Sequence, residues 1–506
     1  MADQAERAQD AAHRHVLVVP AVPEGHVNSL LSFALLLAQR GLLVSFGYPA
    51  RPHALALKRN KLSALPSSLR VHVINDGYPL AEHELTTGSH FEGSVQLMRD
   101  GIEIILQQYL ATANMQALRN NEAFSLVSEN GSSTSLTWPP ICCIISDTFL
   151  PGSQGLADKF CIPRVDFWTC NATIYDMVVH LPEITARGLL PLPEGVGDKW
   201  IVDAPLVDFI PGLPAFHLTE LPRELLEATD VSNFRFQFML KAFACAKDAK
   251  RILVHSLYEM ESHVYESMHT RGFPIYPVGP LLNDATSDSA VCRRDQCLEW
   301  LDKQGPASVV YISFGTIAKL SLQEMHSLAL GLEVSGRRFL WVIQIKSLHG
   351  SSLRESLPEG FMERTVSQGK GIIVTWAPQM DVLKHVAVCA FISHCGWNST
   401  LESVWEGVPM VACPRAADQR CNAKLIVKVW KFGVEMQRED DGTFTTEAVQ
   451  KAIKDVMGNE EVKERALHFK QVARETIAHG PSHSNILSFV DYLLHLPVPD
   501  SNCSSH

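Results

Sequence analysis

The sequence predicts an α/β protein of two domains, each built on a parallel sheet that is covered by helices. Short apolar runs alternate with amphipathic segments almost throughout the 506 residues. Most of these runs are continuously apolar, as expected of strands with helices on both faces. The composition is ordinary for a globular chain, with 46% hydrophobic and 20% charged residues. At about 100–200 residues per domain, the length fits two or three domains.

The predicted strands fall into two groups, with helical patterns between consecutive strands. Those of the first half are expected at 15–20, 43–48, 71–75, 141–147, 163–168 and 251–256. Those of the second half are expected at 308–315, 338–344, 371–376, 388–394 and 410–414. Strand, helix and strand repeated in this order indicate βαβ units and hence parallel sheets.

The polar segment "LLNDATSDSAVCRRDQC" divides the chain between the two groups of strands. We predict a first domain over 1–262, a linker region over 263–297, a second domain over 298–475, and a last helix with a polar tail over 476–506. The two domains are alike in pattern but not in sequence.

Charge and targeting patterns exclude several classes of protein. The formal net charge is −11 and no block rich in Lys or Arg occurs, which argues against a nucleic-acid partner. The start of the chain has no secretory signal pattern, and the longest apolar region is broken by Gln39 and Arg40, so no membrane span is expected. Twelve cysteines lie scattered through apolar runs without a C-x-x-C pair. Reduced thiols in a cytosolic protein are therefore expected.

The stretch "ISHCGWNSTLESVWEGVPMVACP" carries an unusual density of polar groups where a predicted strand ends and a helix begins. In open α/β sheets, ligands bind beyond the carboxyl ends of the strands, and the N-terminus of a helix favours an anion. Gly396 allows the backbone to approach a ligand closely, while His394, Asn398 and Ser399 add donors. A phosphate site is predicted, although the sequence has neither a P-loop nor a strand-coupled G-x-G-x-x-G.

A helix cap is the competing interpretation, because Ser399-x-x-Glu402 is a capping box. Three further segments favour the ligand site. "WAPQ" (376–379) ends the preceding strand, "ADQ" (417–419) follows the next one, and "FGT" (314–316) ends the first strand of this half. Four strand ends thus deliver polar or aromatic groups to one edge of the sheet, which a hydrophobic core does not require.

Residues 376–419 resemble the signature box of the plant-type UDP-dependent glycosyltransferases of family 1. The order and spacing of Trp, Gln, His-Cys-Gly-Trp-Asn-Ser, Glu and Asp-Gln match that box. The resemblance continues through "GH" at 25–26, "SDTF" at 146–149, "DFWT" at 166–169, "VGP" at 278–280 and "SFGT" at 313–316. It implies a GT-B-like fold of two facing Rossmann-like domains. It also implies that the last helix, near 484–496, crosses back to the first domain.

The resemblance assigns the donor to the second domain. Trp376 is expected to stack on the uracil, with the backbone around Ala377 at the base edge, and Gln379 and Glu402 on the ribose hydroxyls. A carboxylate is a natural acceptor for two hydroxyl groups. The diphosphate is expected to be held by His394, Asn398, Ser399 and Thr316. The sugar is expected to face Trp397, Asp418 and Gln419, with Trp168 and Thr169 as further contacts.

The chain departs from the family pattern at three positions near these sites. The family often has Trp at the position of Cys413, an apolar or aromatic residue at that of Arg415, and Pro at that of Ser29. An Arg near the sugar could pair with a carboxylate, which leaves a glucuronic acid donor open. A solvated loop arginine is the alternative that we prefer. Gln419 at the end of the box resembles members that use glucose.

The resemblance places the catalytic pair in the first domain. His26 follows the first predicted strand, and Asp147 ends the apolar strand "ICCIISD", where a buried carboxylate needs a partner. His26 is implied as the general base for the acceptor hydroxyl, and Asp147 as the group that fixes its tautomer. One displacement then inverts the anomeric centre. No Asp-x-Asp occurs, so we expect no metal.

The expected function is inverting, metal-independent transfer of a sugar, preferably glucose, from a UDP-sugar to a hydroxyl of a small lipophilic acceptor such as a phenolic or terpenoid. UDP-glucuronic acid and UDP-galactose remain alternative donors. A non-catalytic nucleotide-sugar-binding protein is a second class, and an NAD-dependent oxidoreductase is a third that the missing glycine fingerprint opposes. The UDP-sugar is a co-substrate, so no cofactor is expected, and the chain is expected to be monomeric. Phe91, Phe149 and Phe167 could line the acceptor pocket or the core.

Overall fold

Two parallel sheets form the framework of the protein. The computed structural model describes residues 14–58, 65–78, 88–119, 138–192, 205–228, 230–282, 296–315, 319–344, 347 and 352–497. Strands β1, β2, β3, β4, β5, β8 and β9 form a seven-stranded sheet, and β10 to β15 form a six-stranded sheet. β6 and β7 make a small antiparallel pair.

The strands are β1 (His15–Val19), β2 (Leu43–Pro49), β3 (Leu69–Ile74), β4 (Ile141–Asp147), β5 (Arg164–Trp168), β6 (Leu206–Val207), β7 (Phe216–His217), β8 (Arg251–Val254), β9 (Ile275–Pro277), β10 (Val309–Ser313), β11 (Arg338–Val342), β12 (Gly371–Val374), β13 (Val388–Ser393), β14 (Met410–Ala412) and β15 (Gly433–Glu435).

The helices are α1 (Glu24–Gln39), α2 (Ala50–Lys58), α3 (Gly88–Arg119), α4 (Gly152–Lys159), α5 (Ala172–Val179), α6 (Leu181–Ala186), α7 (Arg223–Leu226), α8 (Phe234–Ala246), α9 (Tyr258–Thr270), α10 (Gln296–Leu301), α11 (Leu322–Ser335), α12 (Phe361–Arg364), α13 (Gln379–Lys384), α14 (Trp397–Glu406), α15 (Gln419–Lys424), α16 (Thr446–Gly458), α17 (Glu460–Ala478) and α18 (Pro481–Leu494).

The predicted strands are confirmed, and each sheet is parallel throughout. Several predicted ends run too far in both domains, where residues such as Ser256, Phe314 and His394 follow the last residue of a strand. Sequence reasoning missed β9 and β15, which are edge strands of three residues each. Runs that short are not distinguishable from loops by their apolar pattern.

The strand order places a crevice at one point in each sheet. In the seven-stranded sheet, the order is β3-β2-β1-β4-β5-β8-β9. The strands after β1 are first added on one side of it, as β2 and β3, and then on its other side, beginning with β4. In the six-stranded sheet, the same reversal separates β10 from β13. Ligands of open α/β sheets bind at such switch points, beyond the carboxyl ends of the strands.

The last helix packs on the first sheet's layer of helices. Ile486, Phe489 and Leu493 of α18 are buried in one apolar cluster with α1. The Phe489 and Phe33 rings stack with centroids 5.8 Å apart. The Asn485 amide adds a hydrogen bond to the Pro277 carbonyl at 2.9 Å. The domain boundaries stay a prediction, and residues 283–295 of the linker lie outside the described residues.

A continuous apolar cluster joins the two halves of the chain. It includes Trp168 and Met260 from the first half and Trp397 and Trp430 from the second. The indole N–H of Trp430 donates to the Met260 carbonyl at 2.9 Å. The first turns of α1 and α14, which follow β1 and β13, are also in contact through Asn398 Nδ2 and the Gly25 carbonyl at 3.0 Å, so the carboxyl ends of the two sheets face each other across a cleft. None of the helices within the described ranges is long and apolar enough to cross a bilayer.

Candidate active site

His26 and Asp147 meet because their strands are neighbours. β1 pairs with β4, and Val19 is opposite Ser146, so the two carboxyl ends lie side by side. His26 lies in the first turn of α1, and its Nδ1–H donates to Asp147 Oδ2 at 2.7 Å. Thr169, expected at the sugar, has its Oγ1 2.9 Å from the same nitrogen.

The carboxylate of Asp147 is fixed from both sides. Asp147 is fully buried, and its Oδ1 accepts the Phe149 backbone N–H at 2.9 Å. This leaves Oδ2 for His26, which holds the imidazole as the Nδ1–H tautomer. Among the described residues nothing hydrogen-bonds Nε2 of His26, so this nitrogen can accept a proton from a ligand in the cleft.

Electrostatics make His26 a stronger base than an ordinary histidine. Burial alone would lower its pKa, but the charge and hydrogen bond of Asp147, helped by the charge of Asp418, raise it above the usual value. The Phe149 ring stacks against the imidazole at 5.3 Å and supplies an apolar wall. Phe167 instead lies buried in the core against Phe33, and the Phe91 side chain lies outside those that the structure describes.

His394 forms the centre of the second domain's edge. Ser313 and Ser393 are opposite each other at the ends of β10 and β13, and the imidazole follows directly. A Cβ added at Gly315 or Gly396 would lie 2.7 Å or 2.5 Å from His394 Nε2. Both positions therefore need glycine to leave this nitrogen its present place.

The His394 ring is neutral at physiological pH. Burial lowers its pKa to about 4. The Ser313 backbone beside the ring acts in the opposite direction on the pKa, and within the part of the chain that the structure describes the buried Nδ1 has no hydrogen-bond partner of ordinary geometry. The ring lies beside Gly396, which is the N-cap of α14 and offers no side-chain cap to the N–H groups of the first turn. An anion of low proton affinity, such as a diphosphate, suits a neutral donor and a helix N-terminus.

The residues expected at the nucleoside form one hydrogen-bonded group. Tyr311 OH donates to Gln379 Oε1 at 3.0 Å, and Gln379 Nε2 donates to Ser399 Oγ at 2.9 Å and to Glu402 Oε2 at 2.5 Å. Tyr311 had no signal in the sequence, since it lies inside a strand. The group orients the Glu402 carboxylate at the edge of the cleft.

Trp376 and Ala377 follow β12 on the same edge. The Trp376 side chain is 39% exposed, which is unusual for the largest apolar side chain and gives the ring a surface on which a planar group can stack. Ala377 is buried behind it. Thr316, the remaining residue assigned to the diphosphate, lies outside the described residues.

Two tryptophans expected at the sugar point into the core instead. Trp397 is buried, and its indole N–H donates to the His255 carbonyl at 2.6 Å. Trp168 is also buried, and its N–H donates to Asn171 O at 2.8 Å. The side chain of Trp397 therefore joins the two domains, and only its backbone N–H at the start of α14 is left for a ligand.

Asp418 and Gln419 lie at the start of α15 beside the cleft. Gln419 Oε1 accepts the backbone N–H groups of Arg415 and Ala416, both at 2.8 Å, which fixes the loop before the helix. Asp418 Oδ2 accepts from Asn422 Nδ2 at 2.7 Å. Burial raises the pKa of Asp418.

The expectation of a solvated Arg415 is wrong. Its guanidinium makes a two-pronged contact with the buried carboxylate of Glu324, with one N–O distance of 2.8 Å. Glu324 also completes the capping box of α11 with Ser321. Arg415 therefore anchors the loop that leads to Gln419, a role that only the position of α11 could reveal.

Several contacts across the cleft involve residues that sequence reasoning missed. Asn171 Nδ2 donates to Asn422 Oδ1 at 2.6 Å, and Cys170 Sγ lies 3.4 Å from Asp418 Oδ2. Cys170 is thus a free thiol, as are eight other described cysteines, whereas Cys161 is disulfide-bonded. The expectation of wholly reduced thiols is wrong at Cys161.

Within the described ranges no group of three or more His, Cys, Asp or Glu side chains could hold a metal ion.

Comparison with known proteins gives one consistent result. Residues 250–477 match the family model described as "UDP-glucoronosyl and UDP-glucosyl transferase". Linamarin synthase 1 of Manihot esculenta is 30% identical, over 94% of this chain and 96% of that protein. The 7-deoxyloganetin glucosyltransferase of Catharanthus roseus is 29% identical, over 96% of this chain and 97% of that enzyme.

Solved structures give the same result for the fold. A UDP-glucosyltransferase from Polygonum tinctorium that glucosylates indoxyl superposes with a TM-score of 0.78 at 25% identity. The alignment covers 95% of this chain and 98% of that one. A UGT2 of Phytolacca americana, complexed with UDP-2-fluoro-glucose and pterostilbene, superposes with a TM-score of 0.76 at 25% identity, over 95% and 99% of the two chains. The two-domain GT-B architecture is therefore confirmed.

Proposed function

The chain belongs to the plant family 1 UDP-glycosyltransferases, and on this premise we propose that it transfers glucose from UDP-glucose to a hydroxyl of a small lipophilic acceptor, with inversion and without a metal. Members of this family take a UDP-sugar as donor. The observation that carries the finer proposal is the His26–Asp147 pair at the end of the first sheet, across the cleft from His394.

Proton transfer is the task of the first domain. The acceptor hydroxyl gives its proton to Nε2 of His26, and the Nδ1–H bond to Asp147 stabilises the imidazolium that forms. The raised pKa of His26 makes the ring a better proton acceptor. The acceptor oxygen then bonds to the anomeric carbon as the bond between that carbon and the diphosphate oxygen breaks. UDP leaves with the electron pair, and the anomeric centre is inverted.

The second domain stabilises the negative charge that develops on the departing diphosphate. The N–H groups at the start of α14 and the neutral His394 ring can donate to the phosphate oxygens as negative charge develops there. Two glycines keep the approach to this ring open. These groups supply the stabilisation that a cation gives in other transferases, which supports the proposal that no metal is needed.

The donor's nucleoside and sugar have distinct partners in this proposal. The exposed Trp376 ring stacks on uracil, and the Glu402 carboxylate, oriented by Gln379, accepts from the ribose hydroxyls. Asp418 and Gln419 contact the sugar hydroxyls. Because the Arg415 guanidinium pairs with Glu324, it is not available to a sugar carboxylate, which favours glucose over glucuronic acid.

The acceptor is proposed to be a small apolar molecule with a hydroxyl group. The Phe149 ring beside His26 supplies an apolar surface next to the base. The relative from Catharanthus roseus is named for 7-deoxyloganetin, and the Phytolacca structure holds pterostilbene, which are both small molecules. The monomeric state and the cytosolic location stay predictions.

Turnover of the purified protein tests the proposal. The protein is incubated with a panel of phenolic and terpenoid alcohols and, in turn, with UDP-glucose, UDP-galactose and UDP-glucuronate, and the products are identified by mass spectrometry. We expect a β-glucoside from UDP-glucose, since inversion of the α-linked donor gives the β anomer. A clear preference for glucuronate, or an α-linked product, would contradict the proposal. UDP binding without transfer to any acceptor would favour the non-catalytic alternative.

A further inference from the structure

The side-chain amide of Asn398 bridges the two domains. Its Nδ2 donates to the Gly25 carbonyl at 3.0 Å, and its Oδ1 accepts from Ser29 Oγ at 3.1 Å. Ser29 is buried, and its hydroxyl also lies 3.0 Å from Gly25 O, so its one proton is shared between two acceptors. Both ends of the amide are thus engaged by the first turns of α1.

These contacts lie between the two halves of the proposed chemistry. Gly25 immediately precedes His26 in α1, and Asn398 lies in the first turn of α14. The helix that carries the base and the helix whose N-terminus faces the diphosphate are therefore tied to each other at their first turns. The donor–acceptor distance of a hydrogen bond varies by only a few tenths of an ångström. These hydrogen bonds therefore fix the separation of the two helices at their first turns.

The resemblance assigned Asn398 to the diphosphate, but the geometry points to a different role. The N–H that donates to Gly25 O could reach a phosphate only if the amide turned and also lost the Ser29 hydroxyl, so in its present position Asn398 has only its second N–H left for a phosphate. The diphosphate has other donors, namely His394 and the backbone N–H groups of α14. We propose that Gly25, Ser29 and Asn398 form an interdomain clasp, and that Asn398 and Ser29 are positioning residues for His26. The clasp rests on the proposed function, because it positions the base of that reaction.

The clasp predicts a specific kinetic signature. Loss of a positioning contact lowers kcat, whereas loss of a phosphate ligand weakens UDP binding. Misplacement of His26 harms an acceptor that needs the base, such as benzyl alcohol. It harms an acidic phenol such as 4-nitrophenol much less, since that acceptor ionises without help. A general weakening of the fold would lower both rates alike.

The experiment uses the full chain and five variants. These are Asn398→Ala, Ser29→Ala, the double variant, the conservative Ser29→Thr, and the control Asn485→Ala. Asn485 also donates to a carbonyl, that of Pro277 at 2.9 Å, but neither residue is assigned to the site. Turnover of UDP-glucose with each acceptor and the dissociation constant of UDP by calorimetry are measured.

We expect Asn398→Ala to lower kcat with benzyl alcohol about tenfold, as loss of one or two hydrogen bonds would, and to change UDP affinity by less than about twofold. With 4-nitrophenol the loss should be below about threefold. Ser29→Ala should lower kcat about threefold, and Ser29→Thr should restore it. The double variant should match Asn398→Ala alone, because the two side chains act through one contact. Asn485→Ala should leave both constants unchanged.

Three outcomes would contradict the interdomain clasp. If Asn398→Ala weakens UDP binding about tenfold or more, the amide holds the diphosphate and the clasp is refuted. The clasp is also refuted if the losses in the double variant multiply, or if both single variants keep full turnover. Should Asn398→Ala fail to fold, Ser29→Ala and Ser29→Thr decide the matter without any change in α14. If the wild type transfers sugar to no acceptor of the phenolic and terpenoid panel, the proposed function fails, while the calorimetry still tests whether the Asn398 amide holds the diphosphate.

Discussion

Replacement of Asp147 by Asn gives the sharpest test of the proposed chemistry, because the surroundings dictate how the amide must sit. The Phe149 backbone N–H points at Oδ1 from 2.9 Å. An amide keeps this bond only by turning its own oxygen towards Phe149, which turns its NH₂ group towards His26 Nδ1. The imidazole must then accept at Nδ1 and carry its proton on Nε2. In that tautomer Nε2 cannot take a proton from the acceptor.

The size of the effect follows from the bonds that the reactive tautomer would lose. Moving the proton back to Nδ1 sets N–H against NH₂ in a buried site, which costs about 1–3 kcal/mol for the unsatisfied donors. Loss of the charge-assisted bond to the developing imidazolium removes about 1.5–3 kcal/mol more. A sum of about 2.5–6 kcal/mol corresponds to a decrease in kcat of about 10²–10⁴, at 1.36 kcal/mol per factor of ten.

The assay combines turnover, binding and pH. We expect Asp147→Asn to show this loss with an alcohol acceptor and to keep UDP affinity, because the proposed nucleotide contacts lie in the other domain. Activity of the wild type should fall as pH drops below the raised pKa of His26, since the protonated ring is no base. Without the carboxylate that pKa decreases, so the acidic limb should move to lower pH. Asp491→Asn on the exposed part of α18 is the control. Turnover within about threefold of the wild type, with an unmoved acidic limb, would refute the assignment of the base.

Three further predictions concern the metal, the donor site and acid stability. Turnover should persist in excess EDTA, and complete loss that magnesium restores would contradict the metal-independent proposal. Gly396→Ala should weaken UDP binding about tenfold, because its Cβ would lie 2.5 Å from His394 Nε2. Gly458→Ala is the control, because its Cβ meets nothing within 4 Å. Equal UDP affinity in the two variants would show that UDP does not bind at the His394 edge. Burial lowers the pKa of His15 to about 3, below its value of about 6.5 in the unfolded chain, so its contribution to stability is present above pH 6.5 and is lost as pH falls towards 3. Urea unfolding at pH 5 should therefore show about 2 kcal/mol of this loss, which His15→Gln should remove; the same pH dependence in the variant would assign the loss to other groups.

The sequence by itself determined the framework and the location of the site. Apolar runs and the turns between them are local properties, so strands such as β4 and β13 could be read without knowledge of their neighbours. In each sheet, the parallel arrangement then brings the carboxyl ends of the strands to the same edge. His26, Asp147 and His394 could accordingly be placed on that edge before any distance was known.

Only the tertiary structure decided where the side chains at that edge point. Trp397 turns into the interface towards His255, Arg415 meets Glu324 from another helix, and Asn398 reaches Gly25. Each partner is about 90 or more residues away in the chain, and no local pattern indicates it. A side chain takes the direction in which its polar atoms are satisfied and its apolar surface is buried, and both depend on how the two domains pack. That packing of the two domains sets the distance between the base and the donor site.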